Sequence, residues 1–261
     1  MVVSELNSIE LNLKEMYDEQ FNCNGKCKCF GDCSKEMDFD FESSIICNRN
    51  LKVGKLYGKK TRILFIGKEN TNRSTNFTPV EPESFLTQKN QHYRRTKFML
   101  SALLGECNEE DINNYDGYNF ISPHEDTLHK YFALTNHYHC AFKKNVDACK
   151  CHGIKCNNAM WYNCVEIVRK EIEILEPDVI VIQSGWSAKG KALTDIRKYF
   201  NESWEVKQDK LVGLYKAENK ETDRVCYIIG SYHPSFHSWH KDEYLGLLKE
   251  RIITTRNMLH K

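Results

Sequence analysis

No stretch of this chain stays apolar for the roughly 20 residues needed to cross a bilayer. The opening residues, MVVSELNSIELNLKEM, also lack the basic, apolar and small-residue order of a secretory signal. These absences predict a soluble, cytoplasmic protein with no membrane partner. An excess of either charge is missing too. Lysines and arginines number 37 and aspartates and glutamates 36, so no global field draws the chain onto a polyanion, and any nucleic-acid surface must be a local patch. Internal repeats and low-complexity linkers are absent. With 261 residues available for one large core, we expect a single domain over residues 1–261 and a monomer.

Cysteine is abundant. The chain has 12, and most fall in two groups. A segment spanning about residues 20–50 contains Cys23, Cys27, Cys29 and Cys33 in CNGKCKCFGDC, followed by Cys47. A second, spanning about residues 140–164, contains Cys140, Cys149, Cys151, Cys156 and Cys164. In a reducing compartment, clustered thiols point to metal binding rather than disulfides. The two CKC passages echo one another and together offer the four thiolates of a zinc site. Scattered reduced thiols are the alternative. Cys107 and Cys226 stand apart from both groups and read as core residues.

Hydrophobic periodicity alternates between extended and helical. ILFI (63–66), YFALTN (131–136) and DVIVIQ (178–183) are short, apolar and β-branched, as suits strands covered on both faces. Helical spacing occurs over residues 6–17, 96–104, 161–175 and 242–259, with Pro177 ending the third of these. Further strands are expected at 211–216 and 225–229. Strand and helix in alternation predict an α/β class: a three-layer α/β/α domain around a mainly parallel sheet. In such sheets the ligand crevice lies beyond the carboxyl ends of the strands. That rule brings Glu69, Asn136, Ser184 and the residues after Gly230 around one crevice.

Two motifs near it carry chemical meaning. QSGWSAKGKAL spaces Gly185, Gly190 and Lys191 as a phosphate-binding P-loop does, but Ala192 lacks the hydroxyl that would hold magnesium. A glycine turn leading to a helix N-terminus, able to meet one phosphate, is the simpler reading. In GSYHPSF (230–236) the proline biases His233 toward extended geometry, so that its imidazole projects into the crevice.

The order of GKEN (67–70), the Asn136 of YFALTN, the Ser184-Gly185 turn and HPS (233–235) resembles the uracil-DNA glycosylase superfamily, most closely its iron-sulfur branch, over almost the whole chain. There a first strand ends in a motif such as GQDP, GINP or GEGP, a second carries an asparagine, and a late strand ends in HPS. The departure is Asn70, which stands where the family has proline.

This resemblance implies a DNA glycosylase that hydrolyses the N-glycosidic bond of a pyrimidine flipped out of DNA. Glu69 would position the hydrolytic water and stabilise charge at C1′, while His233 would hydrogen-bond the leaving base. Gly67, Lys68, Asn70, Thr71 and Asn136 would surround the base, with Asn136 reading its edge and Tyr93 or His92 stacking on its face. Thr71 stands where the strictest uracil enzymes have a tyrosine, so the pocket would be roomier and would admit modified pyrimidines besides uracil. DNA would be gripped by Arg94, Arg95 and Lys97, by Lys143 and Lys144, by Ser184, Gly185, Lys189 and Lys191, and by Ser235. Phe236 or Trp239 would be the wedge that fills the vacated stack. A 4Fe-4S cluster would be held by Cys140, Cys164 and two of the N-terminal cysteines.

Each role has a plainer competitor. Glu69 serves equally as a helix cap or lysine partner, Asn136 as a strand-end hydrogen bonder, His233 as a packed turn residue and Tyr93 as core. At the level of the whole chain, the alternatives are a non-catalytic metal-cluster module that binds nucleic acid and a nucleotide-binding enzyme.

Overall fold

The apolar runs expected as buried strands form the centre of one sheet. The structure is a computed structural model that describes residues 2–21, 45–47, 51–67, 91–118, 120, 127–137, 139–142, 154–184, 193–234 and 242–260. Its strands are β1 (Ile45–Cys47), β2 (Lys52–Val53), β3 (Ile63–Gly67), β4 (Phe132–Asn136), β5 (Cys140–Phe142), β6 (Val179–Gln183), β7 (Trp204–Gln208), β8 (Leu214–Asn219) and β9 (Val225–Ser231). Its helices are α1 (Val2–Gln20), α2 (Gln91–Leu103), α3 (Glu109–Asn114), α4 (Ile154–Leu175), α5 (Leu193–Arg197) and α6 (Asp242–Leu259).

Seven strands form a mixed sheet in the order β2-β4-β3-β6-β9-β8-β7. The four central strands β4, β3, β6 and β9 run parallel, and the outer pairings are antiparallel. From β3 the chain crosses to β4 on one side and then returns to β6 on the other. The strand order therefore reverses between β3 and β6, where an open α/β sheet forms its ligand crevice.

Alternate residues of the central strands pack in opposite directions, which is why the runs are apolar throughout. Leu64, Ile66, Ile180, Ile182 and Ile228 join a core with α1, α4 and α5. Ile63, Phe65, Val179, Val181 and Ile229 join a second core with α2 and α6. A strand with one wet face would alternate polar and apolar residues; these have none to spare for water. Burying a side chain of this size stabilises by about 1.5–3 kcal/mol.

Local chemistry sets the element ends. Asn108 and Asp111 form a reciprocal capping box at the start of α3. Helix α4 ends ahead of Pro177, and Glu176 adopts a φ of 46° there, a left-handed conformation uncommon for a residue with a side chain. Arg224 Nη2 donates to the Glu176 carbonyl at 2.7 Å, and Arg62 and Arg224 both pair with its carboxylate, which fixes the turn.

The structure corrects several boundaries. Helix α4 begins at Ile154, seven residues before the expected start, and α2 begins at Gln91 rather than Thr96. Strand β8 starts at Leu214, three residues later than expected, and β7 is a strand the periodicity did not announce. Leu11, expected in the helical stripe of α1, is 55% exposed, whereas Leu13, Met16 and Tyr17 are buried.

Candidate functional site

Parallel pairing aligns the carboxyl ends of the central strands. Gly67 pairs with Asn136 across β3 and β4, and Gln183 with Ser231 across β6 and β9. The ladder continues one residue further, where His137 N donates to Gly67 O at 2.8 Å. Asn136 is half-buried and folds over Gly67: a Cβ placed on Gly67 would stand 2.3 Å from Asn136 Oδ1. The amide occupies the space a side chain on residue 67 would need, so any larger residue here would displace Asn136. On the other side of the switch point, Ser184 follows β6. Its hydroxyl is enclosed and makes no hydrogen bond among the described residues.

His233 follows β9 and is exposed at the same edge. Its turn is fastened from two helices. Arg95 of α2 is 1% exposed and donates from Nη1 to Pro234 O at 2.5 Å and from Nε to Gly117 O at 3.1 Å. Tyr244 of α6 accepts from Tyr232 N at 2.9 Å and shares a hydrogen bond with Ser231 Oγ at 3.2 Å. Arg251, also buried, donates to Gly230 O at 2.8 Å and to Val212 O at 2.7 Å. Gln183 Nε2 donates to Thr96 Oγ1 at 3.1 Å, tying the end of β6 to the same helix as Arg95. An exposed imidazole thus stands on a backbone whose carbonyls and amide are bound from behind.

Behind Asn136 lies a polar cluster that sequence reasoning missed. Glu171 of α4 is fully buried, and its carboxylate accepts from Tyr17 Oη and, at 2.7 Å, from Thr135 Oγ1. His139 Nε2 lies 3.4 Å from Glu171 Oε1. One carboxylate therefore joins α1, α4, β4 and the approach to β5. The signal was legible: Glu171 falls on the inward stripe of α4 between Val168 and Leu175, where a carboxylate must find partners. Next to Asn136, His137 is also buried, with Nδ1 2.6 Å from Tyr199 Oη.

Two expected DNA contacts are corrected. Arg95 and Lys97 are buried, and the Arg95 guanidinium is committed to main-chain carbonyls, so it braces the His233 turn instead of meeting phosphate. Arg94 is half-buried. Only the backbone is described for His92 and Tyr93, in the first turn of α2, and for Cys47, Cys140 and Cys156. Lys68, Glu69, Asn70, Thr71, Lys143, Lys144, Gly185, Lys189, Lys191, Ser235, Phe236 and Trp239 lie outside the described residues, as do Cys23, Cys27, Cys29, Cys33, Cys149 and Cys151.

Of the cysteines, Cys47 and Cys140 stand directly opposite each other in the antiparallel β1–β5 pair. Cys164 is fully buried on α4. Cys107 and Cys226 are core residues as expected, with burial pushing both thiols above their ordinary value. Among the described residues no three His, Cys, Asp or Glu side chains gather closely enough to hold a metal ion, and no helix is long and apolar enough to cross a membrane.

A groove at the amino ends of β6 and β9, lined by Ile172, Pro177, Tyr199, Phe200, Trp204 and Arg224, lies away from the crevice. Its polar rim is occupied internally: Glu176 holds Arg62 and Arg224, and Asn201 bonds Glu173 and Ser203. The crevice, with its switch point, exposed histidine and enclosed serine hydroxyl, is the better candidate. A comparison with known protein families finds no match to this chain, and neither does a comparison with curated proteins.

Proposed function

We propose that the chain is a monofunctional DNA glycosylase, a three-layer α/β/α enzyme that removes uracil or a modified pyrimidine from DNA and leaves an abasic site. One observation carries the reading: Gly67, Asn136, Ser184 and His233, residues on which the resemblance rests, lie at the ends of four parallel strands or within two residues beyond them, along one edge that includes the switch point. Asn136 is folded across Gly67, as a base-reading amide beside a main-chain platform would need to be.

In this reading Glu69, two residues beyond Gly67, orients water toward C1′ and offsets positive charge as the base departs. His233 donates to the leaving base, and such a donor is worth about 3–4 kcal/mol in the transition state. The bracing by Arg95, Tyr244 and Arg251 suits this task, because an oriented donor needs no rearrangement during the reaction. Asn136 reads the pyrimidine edge.

A 4Fe-4S cluster would be held by Cys140, Cys164 and two N-terminal cysteines. The pairing of Cys47 with Cys140 supports this, since directly opposed residues in an antiparallel pair have Cα atoms about 4.5–5.5 Å apart. In this reading Cys47 is a candidate for one of the two, beside Cys23, Cys27, Cys29 and Cys33. Bound there, the cluster would tie the N-terminal segment to the core. The remaining thiols of the CKC passages would suit a zinc ion.

Abasic-site formation on duplex and single-stranded oligonucleotides containing uracil, 5-hydroxymethyluracil or other modified pyrimidines tests the reading. Release of at least one base supports it. A folded, metal-loaded protein that binds these oligonucleotides and releases none would instead be a non-catalytic nucleic-acid module.

A further inference from the structure

One exposed aromatic side chain is carried by a turn that shares a clamp with the turn of His233, and it has no part in the site described above. Tyr118 is 46% exposed. It ends a short turn fixed by its own residues: Gly117 has a φ of 86°, and Tyr118 N donates to Asp116 Oδ1 at 2.8 Å. The turn is held from inside by Arg95, which donates from Nε to Gly117 O and from Nη1 to Pro234 O. Both donors belong to one planar group, so the turn carrying Tyr118 and the turn carrying His233 are clamped side by side although they are more than a hundred residues apart in sequence. Tyr118 is also within electrostatic range of that guanidinium.

The surroundings suit an unpaired base. Beneath the turn, Tyr115 stacks on Phe98 with ring centroids 3.8 Å apart and meets Phe120 edge-on, which makes a rigid base. Arg94, half-buried, stands next to Arg95 in the sequence of α2. The Asp116 carboxylate is engaged by the turn's own amide. An exposed ring on a fixed turn is a stacking platform for single-stranded nucleic acid, because every base offers a π-face whatever its sequence.

Resting on the glycosylase reading, we propose that Tyr118 is a nucleobase-stacking residue that takes the face of the base next to the flipped nucleotide. Arg95 then has a second consequence. By clamping both turns it sets the distance between the stacked neighbour and the nucleotide presented to His233.

The test is a binding cycle with the full chain and two single-stranded oligonucleotides. The first carries a reduced abasic analogue at the target position with ordinary bases on each side; the second lacks those neighbouring bases as well. Tyr118→Ala should weaken binding to the first by about 5- to 150-fold, Tyr118→Phe should leave it unchanged, and the difference should vanish on the second. Equal binding of Tyr118→Ala and the wild type, or the same loss on both oligonucleotides, overturns the proposal. Failure of the parent reading is distinguishable: a wild-type chain that releases no base and binds neither oligonucleotide overturns both, whereas a wild type that binds and releases base beside an equally competent Tyr118→Ala overturns this inference alone.

Discussion

Asn136 lies across Gly67 so closely that a single methyl group on residue 67 would stand 2.3 Å from the Asn136 amide oxygen. The obstructing atom is the end of a side chain, so the backbone can keep its place while the amide is driven aside. Gly67→Ala should therefore cost only about 1 kcal/mol of stability, the scale of an off-rotamer side chain, yet reduce base release as severely as Asn136→Ala. Parallel thermal melts and single-turnover assays check this. A Gly67→Ala protein with normal turnover would mean that the amide does not read the base.

Glu171 should behave as a structural hub. Replacing it by alanine leaves Tyr17 and Thr135 without their buried acceptor and removes the carboxylate facing His139. Urea unfolding should show a loss of about 3 kcal/mol, with Glu171→Gln milder because one oxygen acceptor survives. Equal stability of the alanine variant and the wild type would refute the network.

Tyr244→Phe deletes the acceptor of the Tyr232 amide just ahead of His233. The expected cost is about 1 kcal/mol, the net worth of one hydrogen bond to a half-buried amide. Hydrogen exchange at Tyr232 should accelerate locally. Unchanged exchange there would mean that the turn is held by other contacts.

Alkaline pH should destabilise the fold. Burial pushes the Cys226 thiol above its ordinary 9.0, and the hydroxyls of Tyr57, Tyr115 and Tyr244 above their ordinary 10.0. Above about pH 9 the unfolded chain releases these protons while the folded chain retains them, so the unfolded state binds fewer protons and stability falls as pH rises. The contribution is fully present below that pH. Each group ionised only in the unfolded state lowers stability by up to about 1.4 kcal/mol per pH unit. Urea unfolding from about pH 8 to about pH 11 should show a decline beginning near pH 9, and a flat profile would contradict it.

Protein purified without air should contain about four irons and four sulfides per chain. Cys140→Ser and Cys47→Ser should each deplete the cluster, since these residues face one another in the β1–β5 pair. Retention of full iron by both variants would exclude them as ligands.

Much of this architecture was legible because it rests on local pattern. ILFI and VIVI are apolar without interruption, and that requires two dry faces; the bounds of α6 follow its apolar spacing closely. What was not legible depends on distant partners. Arg95 reads as a surface charge within HYRRTK, yet its acceptors belong to Gly117 and Pro234, 22 and 139 residues away. Strand β7 alternates weakly, with Glu205, Lys207 and Gln208 partly or fully exposed, and owes its existence to pairing with β8. His137 and His139 lie within NHYHC, a run that reads as a loop, although both are buried. Glu171 is the exception, since its place on the inward stripe of α4 was legible although its partners Tyr17 and Thr135 were not.

The central claim is that Glu69 and His233 act on one glycosidic bond, and single-turnover base release by Glu69→Gln, His233→Ala and the wild type tests it most directly. The wild type should liberate a pyrimidine, and each variant should lose at least a hundredfold in rate, the scale of one missing electrostatic donor, at a nearly unchanged melting temperature. Base release at the wild-type rate by both variants would contradict the account.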